Sequence, residues 1–149
     1  MQKIRITKQF NFEMAHALKD YDGPCRNIHG HSYELFVTVV GEPIKDVQSP
    51  KNGMLIDFGD LKRIVRANII DQLDHALLLN ADTQEYLINE LKKGFANILL
   101  VNYQPTSENM LLDFAERLQK HLPSHIKLHS MKLRETITSF AEWYASDNE

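Results

Sequence analysis

The stretch Phe10-Asn11-Phe12-Glu13-Met14-Ala15-His16 alternates apolar and polar side chains, and the same period of two runs through residues 3 to 17. That period belongs to a strand with one buried face, so Phe10, Phe12, Met14 and His16 share the apolar side and Asn11, Glu13 and Ala15 the other. From His31 the alternation resumes, with Tyr33, Leu35, Val37 and Val39 on one side, until Gly41 and Pro43 end the strand. The link from Leu18 to Gly30 carries Gly23, Pro24 and Cys25 and is too long for a tight hairpin, which marks it as a candidate functional loop.

Downstream the period changes. Leu61, Val65, Ile69 and Leu73 recur every four residues behind Asp57 and Asp60, which predicts a helix from about 59 to 73 with a capped, dipole-favoured start. Residues 83 to 93 read as a weaker helix and Asn97 to Val101 as a short apolar strand. Pro105, Thr106 and Glu108 open another helix that carries Met110, Leu111, Phe114 and Leu118 inward and stops near Pro123. His125 to Ala145 reads as two strands broken around Thr136 to Ser139. The expected fold is α+β, an antiparallel four-stranded sheet with helices on one face, in one domain spanning residues 1–149.

Composition narrows the function. A chain of 149 residues with 43% hydrophobic side chains can bury one core, and a net charge of −3 gives no basic footprint for nucleic acid. The start, MQKIRITKQF, has no apolar signal-peptide core, and no apolar run approaches the roughly 20 residues that span a bilayer. A cytoplasmic protein without a membrane partner is expected. The one cysteine, Cys25, forms no intramolecular disulfide and is free for chemistry.

The informative run is Cys25-Arg-Asn-Ile-His29-Gly-His31. In an extended segment residues two apart project to the same side, so His29 and His31 aim their imidazoles at one point. His16 supplies a third nitrogen if the first two strands pair. Three neutral imidazoles suit zinc, which in catalytic sites has three protein ligands and an open position. Two other readings stand beside this one: a buried, satisfied His16 with His-Gly-His as a turn, and a closed Cys-His₃ structural site that includes Cys25.

Phe12-Glu-Met-Ala-His16, Cys25-x₃-His29-Gly-His31, Gly53-Met-Leu-Ile-Asp57-Phe58, Leu73-Asp74-His75, Pro105-Thr-Ser-Glu108-Asn and Arg134-Glu135-Thr136 stand in order along the chain. Together they resemble the 6-pyruvoyl-tetrahydropterin synthase and 6-carboxy-tetrahydropterin synthase family, nearly end to end. The Cys-x₃-His spacing resembles the carboxy-tetrahydropterin synthases of queuosine biosynthesis, since pyruvoyl synthases have a longer interval there. The segment from Ala81 to Gln104 departs from the family by its length.

The resemblance implies a tunnelling-type fold whose sheets join into an oligomeric barrel, with active sites at subunit interfaces. It implies zinc (Zn2+) on His16, His29 and His31, and conversion of 7,8-dihydroneopterin triphosphate to 6-carboxy-tetrahydropterin, acetaldehyde and triphosphate. It gives Cys25 the part of general base, His75 that of second proton-transfer group oriented by Asp74, and Glu135 that of pterin anchor, with Thr106 and Glu108 along the same pocket. On the residues alone, Asp74-His75 also reads as a helix cap with a surface imidazole, and Thr106 and Glu108 as a helix start. Glu135 falls on the apolar side by alternation from His129 through Met131 and Leu133, and a buried carboxylate needs partners. Pyruvoyl synthase activity and a non-catalytic zinc- and pterin-binding module are the alternative functions.

Overall fold

Alternation over thirteen residues makes β1 (Ile4–His16) and β2 (His29–Gly41), and the computed structural model, which describes residues 2–149, pairs them antiparallel. Phe10, Phe12, Met14 and His16 are buried from β1, and Tyr33, Leu35, Val37 and Val39 from β2. The register sets His16 opposite His29 and Met14 opposite His31.

The four-residue spacing behind Asp57 becomes a helix with an irregularity. α1 (Phe58–Val65) starts where the Asp57 carboxylate accepts the Gly59 N–H at 2.6 Å. It passes into a π turn, Arg66–Ile70, and then into the short α2 (Asp71–Leu73). In an unbroken α-helix, twelve residues overshoot three turns by about 120°. The wider π turn takes up that drift, which is how Leu61, Val65, Ile69 and Leu73 all become buried.

β3 (Ala76–Asn80), α3 (Glu85–Gly94) and β4 (Ile98–Val101) come next, then α4 (Ser107–His121), β5 (Ile126–Thr136) and β6 (Ser139–Tyr144). The sheet has six strands in the order β4-β3-β1-β2-β5-β6. β3 lies parallel to β1 and β4 parallel to β3, while the other pairs are antiparallel. The α+β class holds, but the four-stranded antiparallel sheet expected from sequence is corrected to a six-stranded mixed one. Residues 76–80, Ala-Leu-Leu-Leu-Asn, show no alternation because parallel strands covered on both faces read as continuous apolar runs.

α1, the π turn and α4 pack on the face of the sheet that carries the main core. Leu78 belongs to that core, whereas Leu79, turned the other way by strand geometry, lines a cavity with Leu87 and Leu91 of α3. β5 is bulged: Ser130 faces Thr38 and Leu128 faces Val39, so His129 is the extra residue. The bulge puts Ile126 and Leu128 on the same face as Met131 and Leu133, and takes His129 off the apolar side where simple alternation sets it.

Candidate metal centre and adjoining pocket

The antiparallel register of β1 and β2 brings His16, His29 and His31 to one end of the core face. One nitrogen from each lies within 4.8 Å of the others. Two of the rings are oriented by backbone carbonyls, which only accept: His16 Nδ1 donates to Pro105 at 2.7 Å and His29 Nδ1 to Asn27 at 2.7 Å. With the proton on Nδ1, each Nε2 carries a lone pair, and the two Nε2 atoms stand 3.0 Å apart. Two lone pairs at that distance repel unless a cation lies between them. Burial holds the His16 imidazole below its ordinary pKa, against the pull of the Pro105 carbonyl, so a proton is a poor candidate for that cation.

His31 Nε2 is buried without a hydrogen-bond partner, 3.4 Å from Glu135 Oε1. Burial also lowers the His31 pKa, with Glu135 opposing. Tyr33, stacked on Phe12 with centroids 4.9 Å apart, meets the rings of His16 and His31 edge-on and walls the cluster on its inner side. An orphaned nitrogen, two facing lone pairs and carbonyl-fixed tautomers are what a three-histidine metal site requires.

Beside the cluster is a cavity of about 350 Å³ lined by His16, Cys25, Thr106, Ser107, Glu108, Glu135 and Phe140 among others. Cys25 sits in a one-turn 3₁₀ segment, Pro24–Arg26, and its carbonyl accepts the Leu18 N–H at 2.9 Å, which pins the loop. A Cβ at Gly23 would lie 2.5 Å from the Tyr21 ring, so a larger residue there would push that ring aside. Cys25 is not part of the three-histidine cluster; it lines the cavity next to it. Thr106 caps α4 by accepting the Asn109 N–H at 3.2 Å and lines the cavity as well.

Glu135 owes its place to a second bulge. Arg134 pairs with Phe140 and Thr136 with Ser139, leaving Glu135 as the extra residue of β5. Bulges re-aim side chains beside sites, and here the carboxylate accepts the buried Ser107 hydroxyl at 2.6 Å.

Asp74 and His75 stand elsewhere. They lie beside Glu13, where His75 lines a shallow depression with Glu13, Ala15, Gly30 and Ser32, which alternate away from the histidine cluster, and with Met14 and His31. The Asp74 carboxylate accepts the Glu13 N–H at 2.9 Å, which, with the His75 imidazole at 3.1 Å, holds its pKa below the ordinary value. His75 has φ +64°, an uncommon conformation for a residue with a Cβ, and its N–H donates to the Glu13 carbonyl at 2.6 Å. Among the described residues, the cavity that Cys25 lines does not include His75, and the depression that His75 lines does not include Cys25.

The family described as 6-pyruvoyl tetrahydropterin synthase matches residues 5–146. The chain belongs to this family. Among its relatives is the 6-carboxy-5,6,7,8-tetrahydropterin synthase of Haemophilus influenzae, 37% identical, with 94% of this chain and 98% of the relative covered. Another is the dihydroneopterin monophosphate aldolase of Pyrococcus furiosus, 31% identical over 89% of this chain and 90% of the relative. The solved 6-pyruvoyl tetrahydropterin synthase of Caenorhabditis elegans is 26% identical and superimposes with a TM-score of 0.67 over 97% of each chain.

In this family member, three residues at the site escape a reading of the sequence. Ser107 is hidden as the residue after a helix cap, where a serine needs no further explanation. Phe140 and Tyr21 come to the cavity only through the β5–β6 hairpin and the Cys25 loop, and neither carries a local signal. Among the described residues no helix is long and apolar enough to cross a membrane.

Proposed function

We propose that this chain is a zinc-dependent carbon-carbon lyase of the cytoplasm that converts 7,8-dihydroneopterin triphosphate to 6-carboxy-5,6,7,8-tetrahydropterin, acetaldehyde and triphosphate in queuosine biosynthesis. The observation that carries this reading is the convergence of Cys25, Glu135 and His16, a member of the three-histidine cluster, on one cavity. The resemblance to the Haemophilus synthase supports the product. The Cys-x₃-His interval favours it over pyruvoyl synthase activity. One water is consumed, because a carboxylate and an aldehyde carry one more oxygen than the two side-chain hydroxyls supply.

Zinc on His16, His29 and His31 would serve as a Lewis acid toward the substrate's side-chain hydroxyls, making their protons more acidic. The chain's own residues do the rest. The Glu135 carboxylate, steadied by Ser107, offers two acceptor oxygens to the adjacent amino and ring N–H donors of a pterin. Phe140, half exposed at the cavity, offers an aromatic face to the bicyclic ring. Cys25 removes a proton from the side-chain carbon, and His75, oriented by Asp74, returns and withdraws protons on the oxygen side. Because His75 lies apart from Cys25 in one chain, the reading requires a homo-oligomer in which a second copy brings its His75 to the cavity.

Incubating the protein with zinc and dihydroneopterin triphosphate should release acetaldehyde and a carboxy-pterin in equal amounts. Triphosphate release with a pyruvoyl-pterin and no acetaldehyde would replace this reading by the pyruvoyl synthase one, and no product at all would leave a binding module. The pterin anchor has its own check. Glu135→Gln keeps the shape but turns one acceptor into a donor, so pterin binding should weaken by about 2 kcal/mol, measured by titration calorimetry. Unchanged affinity would remove Glu135 from the pterin contact.

A further inference from the structure

A π turn disturbs the regular hydrogen-bond ladder of a helix, and side chains bond to carbonyls in and beside Arg66–Ile70. Asn68 Nδ2 donates to the Ile64 carbonyl at 2.8 Å and Gln72 Nε2 to the Ala67 carbonyl at 3.1 Å. Arg117, reaching across from α4, donates through Nη1 to the Asn68 carbonyl at 3.2 Å and to Gln72 Oε1 at 3.0 Å. Its guanidinium is held by a fork on Asp113, at 2.8 and 2.6 Å, and the Tyr103 hydroxyl donates to the same carboxylate at 2.6 Å. The arginine thus arrives already oriented, and among the described residues it is the one side chain from outside the helix that hydrogen-bonds to the turn.

The turn sets the direction of the chain beyond it. Relaxing it to α geometry would free one residue and rotate the downstream chain by about 100° around the helix axis. Asp74 begins just beyond α2, and with His75 it is fastened to Glu13 of β1 on both sides: the Asp74 carboxylate takes the Glu13 N–H and the His75 N–H gives to the Glu13 carbonyl. Two groups fastened to one strand residue, one of them at φ +64°, do not survive such a rotation in place.

We infer that Arg117 is a positioning residue for Asp74 and His75, acting by holding the π turn; this rests on the catalytic reading of His75 proposed above. The stem-preserving variant Arg117→Met should lower kcat on the order of 10- to 100-fold, as displacement of a reacting group does, while KM and metal content stay as in the wild type. In a His75→Ala background the same change should cost nothing further, because the group it positions is gone. Exchange of the His75 amide hydrogen, now protected by Glu13, should quicken in Arg117→Met.

The same fold-loss in both backgrounds, or a normal kcat accompanied only by a lower melting temperature, would overturn the inference. Should Arg117→Met fail to fold, Gln72→Ala at an exposed position removes the Ala67 cap and one Arg117 acceptor; it should show a smaller fall in kcat with the same dependence on His75, and an unchanged kcat would be equally fatal. If the wild type makes no product, the functional reading fails by itself. Amide exchange at His75 still decides the positioning then, and unaltered protection in Arg117→Met would refute it.

Discussion

His29→Ala is expected to strip the metal from the protein and to bring turnover down to background. The wild type should hold about one zinc per chain, a three-histidine site leaving one position open. Losing even an outer partner of a ligand costs 10- to 100-fold in affinity, so losing the ligand itself should exceed about 100-fold. A second effect comes from the 3.0 Å approach of His16 Nε2 to His29 Nε2. Without metal that contact sets two lone pairs against each other, and the alanine removes one of them. Chelator should therefore lower the melting temperature of the wild type and leave that of His29→Ala unmoved. Metal analysis and melting curves with and without chelator check both statements; equimolar zinc in the variant would sink the ligand assignment.

The parts of the fold legible in the sequence are those with a single strong period. β1 and β2 announce themselves because one face of each is core and the other is not, and their pairing is set by Phe12, Met14, Tyr33 and Leu35 all needing the same side. The three-histidine cluster is legible for the same reason, since its members lie on those two strands and the register aligns them. β3 is hidden because Leu77 to Leu79 carry no alternation, so nothing in the run distinguishes a parallel strand from a helix end, whereas β4 shows as the short apolar strand from Asn97 to Val101 without any sign of its parallel place in the sheet. Both bulges of β5 are hidden too. An extra residue leaves no mark in composition, yet the first moves His129 off the core face and the second aims Glu135 toward Ser107. The π turn, by contrast, is visible in retrospect: a spacing of four held over three turns does not fit an unbroken α-helix.

Cys25→Ala and His75→Ala should each cost about 10² to 10⁴-fold in turnover, the range of a general acid or base, while Cys25→Ala keeps its zinc and its affinity for pterin. The informative experiment combines them. Within one chain Cys25 opens on the cavity of the core face and His75 on the depression beside Glu13 and Ser32. If an active site takes its thiol from one copy and its imidazole from another, two inactive chains can complement each other. Co-expressed in equal amounts under separate tags, the two variants should restore about a quarter of the sites over the whole population, since each site needs an intact thiol from one independently drawn subunit and an intact imidazole from another, and purification through both tags removes the inactive homo-oligomers and raises that share. An oligomer carrying both tags but no more active than either parent would mean that each chain supplies its own pair, which the placement of the two residues on separate cavities does not allow without rearrangement, or that one of the two takes no part in proton transfer. Zinc analysis of Cys25→Ala then separates those cases: a variant that has lost its metal makes the thiol a ligand, and one that retains metal and normal turnover removes it from the chemistry.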